Sequence, residues 1–182
     1  METALLERKV FWKAFRFFSK HPLEEFNFNR LVKETGLSIM STHDVARRMT
    51  KEGFLNIRRL GNLKLFSLNS DEPFVRQLRV LEAIAAVKSF VKRIKPLCSK
   101  IVLFGSCAVG VQTPDSDIDL FAISEEKSKL ATIVEESTPI NMKRPINVII
   151  ENSASALNMR NGSKVLWENI QKGIVLYETY ND

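Results

Sequence analysis

The sequence is poor in the residues that build metal or covalent frameworks. Only two cysteines and two histidines occur in 182 residues, and Cys98 and Cys107 stand apart from any C-x-x-C spacing. A zinc site or a disulfide framework therefore has no basis in the sequence, and reduced thiols are expected. Long apolar runs are missing as well: nothing approaches the roughly 18 uninterrupted apolar residues of a membrane span. The opening METALLERKV lacks the basic-then-apolar pattern and small-residue cleavage site of a secretory signal. A cytoplasmic protein with no membrane partner is expected. No internal repeat or low-complexity stretch is present.

What remains is a globular composition, 45% hydrophobic and 26% charged, which excludes a disordered or fibrous chain. The length admits one full domain or two small ones. The net charge of +6 is uneven. Residues 1–70 hold 13 Lys and Arg against 7 Asp and Glu, whereas residues 71–182 hold 14 of each. A basic unit joined to a neutral one suggests that the first part meets a polyanion, because phosphate neutralisation supplies most non-specific nucleic-acid affinity.

In the first seventy residues, Leu6, Val10, Phe11, Ala14, Phe17 and Phe18 recur at helical spacing, with Lys13, Arg16 and Lys20 between them. That spacing predicts an amphipathic helix ending at His21-Pro22. Asn27 can cap a second helix through Phe28, Leu31 and Val32, and Gly36 supplies a left-handed turn. Ser38 or Ser41 can cap a third helix whose Ile39, Val45 and Met49 face inward while Thr42, His43, Arg47 and Arg48 stay at solvent. After Gly53 come two alternating segments, 54–59 and 63–68, joined by a Gly61-Asn62 turn. They predict a hairpin. Three helices followed by KEGFLNIRRLGNLKLFSLN resemble the winged helix-turn-helix domains of archaeal and bacterial transcription regulators. The resemblance implies a third helix in the DNA major groove and a wing on the backbone. Ser41, Thr42, His43 and Arg47 are then base-side candidates, and Arg48, Arg58, Arg59 and Lys64 phosphate contacts.

A polar break at Asn69-Ser70-Asp71-Glu72 marks a domain boundary near residue 70, and Pro73 suits the first turn of a new helix. Apolar residues from Phe74 through Leu78, Leu81 and Ile84 to Val91 give that helix a long stripe, closed by Lys95-Pro96. It is expected either to pack on the following domain or to serve as spacer and dimer surface. The Phe-rich first helix is the other candidate for a homodimer contact.

Residues 100–104 form an apolar run ending in Gly105-Ser106. A loop with a helical turn follows, and a second strand begins at Asp117-Ile118-Asp119-Leu120. Alternation in a strand puts Asp117 and Asp119 on one face, with Ile118 and Leu120 buried behind them. Two carboxylates on one face repel unless a cation lies between them, and Mg²⁺, a hard ion held by carboxylates and substrate phosphates, is the natural occupant. Gly105 lets a phosphate approach the backbone, and Ser106 at a helix start offers a hydroxyl and free N–H groups.

The segment FGSCAVGVQTPDSDIDLFAIS resembles the signature of the polymerase β-type nucleotidyltransferase superfamily, close to its minimal branch. VLWENIQKGIVLYE resembles the closing helix and strand of small archaeal members, so the likeness covers about residues 97–180. It implies that Gly105, Ser106 and Ser116 bind the nucleotide and that Asp117 and Asp119 are the catalytic, Mg²⁺-holding pair. An NTP is the implied substrate, with ATP expected, and the acceptor is a protein, a nucleic acid or a small molecule. Members of this branch are often paired with separate HEPN proteins in toxin–antitoxin modules, which adds such a partner to the expectation.

Two positions depart from the pattern. Val109 stands where the family often carries Arg. Asn147, in the strand expected over residues 145–150, stands where active members carry a third carboxylate, and an amide cannot accept a proton as a carboxylate does. Glu151 shares the face of Asn147 but lies about 13 Å along the strand. The remaining landmarks are a helix beginning among Glu125, Glu126, Lys127 and Lys129 and running through Leu130 and Ile133, and a loop around Pro139. The expected architecture is α/β (α+β): a winged helix over 1–70, a connecting helix over 71–96 and a nucleotidyltransferase-like domain over 97–182 with a small mixed sheet. The alternative to a transferase is a DNA-binding regulator or antitoxin whose second domain only binds nucleotide or a partner.

Overall fold

The computed structural model describes residues 5–137 and 144–179. It is a mixed α+β chain of two compact units, residues 1–76 and 77–182. Among the described residues no helix is long and apolar enough to cross a membrane.

The first unit contains α1 (Lys9–Lys20), β1 (Phe26–Asn27), α2 (Phe28–Thr35), α3 (Ile39–Lys51), β2 (Leu55–Leu60) and β3 (Leu63–Leu68). The Asn27 side chain accepts from the Arg30 N–H and the Ser38 hydroxyl from the Ser41 N–H, so α2 and α3 each start on a cap. β2 and β3 form the hairpin, and β1 adds an antiparallel third strand on β3, giving the order β1-β3-β2. The core gathers Phe11, Phe15 and Phe18 of α1 with Phe26, Leu31, Met49, Phe54 and Phe66. Each such buried ring contributes about 1.5–3 kcal/mol relative to exposure.

Three expectations are corrected here. Phe15, not Phe17, completes the buried stripe of α1. On α3 the buried stripe is Thr42, Val45, Ala46 and Met49. Ile39 stands 68% exposed at the first turn, where that stripe runs off the edge of the core. Thr42 is buried because its hydroxyl donates to the Ser38 carbonyl at 3.0 Å, which removes the cost of desolvating it.

Helix α4 (Pro73–Ile94) begins in the first unit and ends in the second. Val75, Leu78, Val80, Ala83, Val87, Phe90 and Ile94 are buried, but Leu81 is 54% exposed and lies outside the stripe. Arg79 was not anticipated as a core residue. It is 1% exposed, its guanidinium donates to the Gln112 carbonyl, and the Gln112 amide donates back to the Arg79 carbonyl at 3.1 Å. Burial pushes the Arg79 pKa down, with a further push from Arg144.

The second unit continues with a short 3₁₀ turn (Lys95–Leu97), β4 (Lys100–Phe104), α5 (Ser106–Val109), β5 (Ile118–Ile123), α6 (Lys127–Ser137), β6 (Ile146–Glu151), α7 (Ser153–Gly162), α8 (Lys164–Gln171) and β7 (Ile174–Glu178). The sheet order is β6-β5-β4-β7, with β5 and β6 parallel and the other pairs antiparallel. One face, carrying Ile101, Leu103, Ile118, Leu120 and Ile146, packs with Val87, Phe90, Ile94 and Leu130. The other, carrying Val102, Phe104 and Phe121, packs with Ala156 and Ile170 of α7 and α8. Gly173 admits the turn into β7, because a Cβ there would lie 2.5 Å from the Leu103 carbonyl. The loop expected around Pro139 lies outside the described residues.

Candidate functional site

The sheet register brings the candidate chemistry together. Phe104 at the end of β4 pairs with Asp119 of β5, and Asp119 pairs with Asn147 of β6. Asp117 lies two residues before Asp119, so both carboxylates project from the face opposite Ile118 and Leu120. Both are half-buried, whereas Asn147 is exposed.

Gly105 follows β4 with φ 70 and ψ −155, a region of backbone space that is essentially glycine's alone. A Cβ at this position would lie 2.7 Å from Asp119 Oδ2. The Asp119 carboxylate thus lies where a side chain at position 105 would stand. Helix α5, which follows, is only four residues long. Its dipole is correspondingly small, and half-buried Ser106 stands at its start. Ser116 is engaged in its own turn: its hydroxyl accepts from the Thr113 N–H at 2.8 Å and lies 3.0 Å from the Thr113 hydroxyl. Cys107, next to Ser106, is fully buried, and burial pushes its thiol pKa up. Val109 is 52% exposed.

Asn147 Nδ2 donates to Asp117 Oδ2 at 2.9 Å. The amide thereby takes one acceptor position of the carboxylate, and no negative charge is added. Glu151 pairs with Ile123 at the other end of β5 and makes a 2.8 Å ion pair with Lys127, so it does not replace the missing carboxylate. Among the described residues no group of three or more His, Cys, Asp or Glu side chains could hold a metal ion. The candidate donors are the two carboxylates, hard ligands of the kind Mg²⁺ takes one or two at a time, with water and phosphate completing its shell. Asp117 and Asp119 are the residues that fit such an ion.

The first unit carries the second set of candidates. His43 and Arg47 are exposed on α3, and Ser41 and Arg48 are half-buried. Thr42 is withdrawn into the core. Asp44, which the sequence reading passed over, receives the guanidinium groups of Arg8, Arg47 at 3.4 Å and Arg48 at 2.9 Å. Arg48 and Arg8 hold its carboxyl at about 2, well below the ordinary carboxylate value. On the hairpin, Arg58 makes a two-pronged contact with Glu25, which lowers the Glu25 pKa and raises that of Arg58. Arg59 and Lys64 are exposed and make no ion pair among the described residues. The alternation of acid and base at i, i+3 and i+4 around Asp44 was the available signal for that cluster.

No curated protein matches the chain. Several solved structures share a faint likeness. Rv0081 of M. tuberculosis is 14% identical, with 50% of this chain and 88% of that one covered at a TM-score of 0.40. Sso10a-2, a DNA-binding protein from Sulfolobus solfataricus, is 16% identical over 44% and 90% of the two chains at 0.31. TrmBL2, an archaeal chromatin protein, is 14% identical over 87% and 68% at 0.31. Likenesses at that level do not establish a shared fold. The family comparison is of a different kind: a model of the polymerase beta nucleotidyltransferase domain matches residues 87–182, over half of the chain, and includes β4, α5 and β5 with Gly105, Asp117 and Asp119. The chain therefore belongs to the polymerase beta nucleotidyltransferase family.

Proposed function

We propose that the second unit binds a magnesium-bound nucleoside triphosphate, ATP being the expected one, and transfers its nucleotidyl group to a protein, nucleic-acid or small-molecule acceptor with release of pyrophosphate, and that the first unit is a winged helix that binds DNA. The observation that carries the transferase reading is the Asp119 carboxylate lying over Gly105 with Asp117 beside it, inside the family match. The metal, when bound, supplies charge stabilisation to the attacking and leaving oxygens. Asp117 and Asp119 hold it, and Gly105 sets the close approach of Asp119 to the loop. Ser106 offers its hydroxyl to the phosphates, and Ser116 steadies the Thr113 turn that leads into Asp117.

For the first unit, the support is the basic excess of residues 1–70 together with exposed Arg59, Lys64, His43 and Arg47 on the hairpin and α3. Asp44 fixes the directions of Arg47 and Arg48, in keeping with guanidinium groups that position the protein on a backbone.

A second reading has its own observation. Asn147 cannot take a proton from an attacking hydroxyl, and its hydrogen bond satisfies Asp117 without metal. That favours a DNA-binding regulator, or an antitoxin, whose nucleotidyltransferase domain senses nucleotide or holds a partner. Incubating the purified protein with Mg²⁺, ATP labelled at the α-phosphate and a lysate as the source of acceptors separates the two. Label transferred by the wild type and lost in Asp117→Ala supports the transferase and reveals the acceptor class, including a HEPN-type protein. Metal-dependent nucleotide binding without transfer supports the second reading.

A further inference from the structure

Helix α1 presents a cationic row that the DNA reading of α3 and the hairpin does not use. Lys9, Lys13, Arg16 and Lys20 recur at intervals of four, three and four residues, and all are exposed. Helical geometry puts such a set on one stripe about 16 Å long. With Trp12 and His21 they line a concavity of about 660 Å³. It shares no residue with the cavity of about 490 Å³ beside α3 and the hairpin. The one acid at its edge, Glu34, lies 3.9 Å from Arg30. Lys9, Lys13 and Lys20 make no ion pair among the described residues; Lys13 only donates to the Gly36 carbonyl at 3.2 Å. Like charges at i, i+4, as at Lys9 and Lys13, weigh against a helix, and a polyanion on the row relieves that repulsion.

We infer that this face of α1 holds the phosphate backbone of a second duplex DNA segment, so that one protein binds two segments. The inference rests on the DNA-binding reading of the first unit. The length of the row fits repeated phosphates, which rise 3.4 Å per strand, better than one isolated phosphate group. A duplex is favoured over a stacked single strand because the Trp12 indole is already tied down. Its N–H donates to the Leu6 carbonyl at 2.7 Å, and its ring meets Phe11 and Phe15 edge-on. It is therefore not an open platform for bases.

The test compares wild type with the triple variant Lys9→Gln, Lys13→Gln, Lys20→Gln and with Arg59→Gln, Lys64→Gln. Anisotropy of a labelled 20-base-pair duplex is followed against salt, and a second assay measures capture of a free labelled duplex by protein on a bead-bound one. Three phosphate contacts predict a fall of about 2.7 in the slope of log affinity against log salt for capture of the second duplex. The triple variant should lose capture of the second duplex yet still bind one, and its thermal melt should not fall below wild type. Replacing the same lysines with Arg should restore both slope and capture. Unchanged slope and capture in the triple variant, with binding lost in the hairpin variant, overturn the inference and leave the α3 reading standing. A wild type that binds no duplex at low salt overturns both.

Discussion

Replacing Gly105 by Ala tests the geometry of the site with both carboxylates still in the sequence. The backbone at φ 70 and ψ −155 is closed to L side chains, and holding Ala there costs about 1–3 kcal/mol. The new methyl would also start 2.7 Å from Asp119 Oδ2, forcing that side chain off its rotamer at about 0.5–1.5 kcal/mol. The sum, about 1.5–4.5 kcal/mol, should lower the urea midpoint of the second unit by about 0.8–2.2 M for a slope of about 2 kcal/mol/M. Trp167 fluorescence is a reporter within that unit. In the double variant with Asp119→Ala the steric part should disappear and the backbone part remain, a coupling that a double-mutant cycle isolates. A Gly105→Ala protein within about 0.5 kcal/mol of wild type would refute the backbone argument. A cost that Asp119→Ala leaves wholly unchanged would show that the carboxylate does not lie against Gly105.

Other perturbations follow from the same structure. Asp44 titrates at about 2 in the folded protein; because that value is depressed, its stabilisation is present above about pH 4 and fades as pH falls towards about 2. Acid melts of the wild type should show this dependence and those of Asp44→Asn should lack that component. Arg79→Ala removes a buried donor from the Gln112 carbonyl and leaves a cavity, so it should cost about 3 kcal/mol or more in urea unfolding, whereas Arg79→Met, which fills the space, should cost less. Burial pushes the Cys98 thiol up to about 11 and raises that of Cys107, so neither should react with a thiol reagent at pH 8 until urea unfolds the chain. Asn147→Asp replaces the donor facing Asp117 with a third charge. Its melting temperature should fall without Mg²⁺ and recover with it, and an unchanged melt in both conditions would contradict the placement of Asn147.

The elements with local signals were the legible ones. The Asn27 and Ser38 caps, the Gly36 and Gly61 turns, and the alternation of β3 all specify structure over a few residues. The alternation of Asp117 and Asp119 against Ile118 and Leu120 was equally readable. Thr42 and Ile39 exchanged their expected environments because helix phase at a first turn depends on what packs against it. Arg79 in the core could not be read from a residue type that is normally exposed, since its burial depends on Gln112, 33 residues away. β1 and α7 also went unforeseen. The two-residue β1 gains order only by pairing with Phe66 and Leu65. Helix α7 lacks a strong apolar stripe: Leu157 is 74% exposed and Ala156 is its buried contact. At the site, the missing third carboxylate was visible as Asn147, but its hydrogen bond to Asp117 required the parallel register of β5 and β6.

The most direct test of the central claim is calorimetric titration of ATP into the full chain with and without Mg²⁺, alongside Asp119→Ala. The account predicts saturable binding that requires Mg²⁺ and is lost in the variant while the fold, followed by circular dichroism, is kept. Binding that is indifferent to the metal and to Asp119, or no binding to the folded wild type, would contradict a magnesium and nucleotide site at Gly105, Asp117 and Asp119.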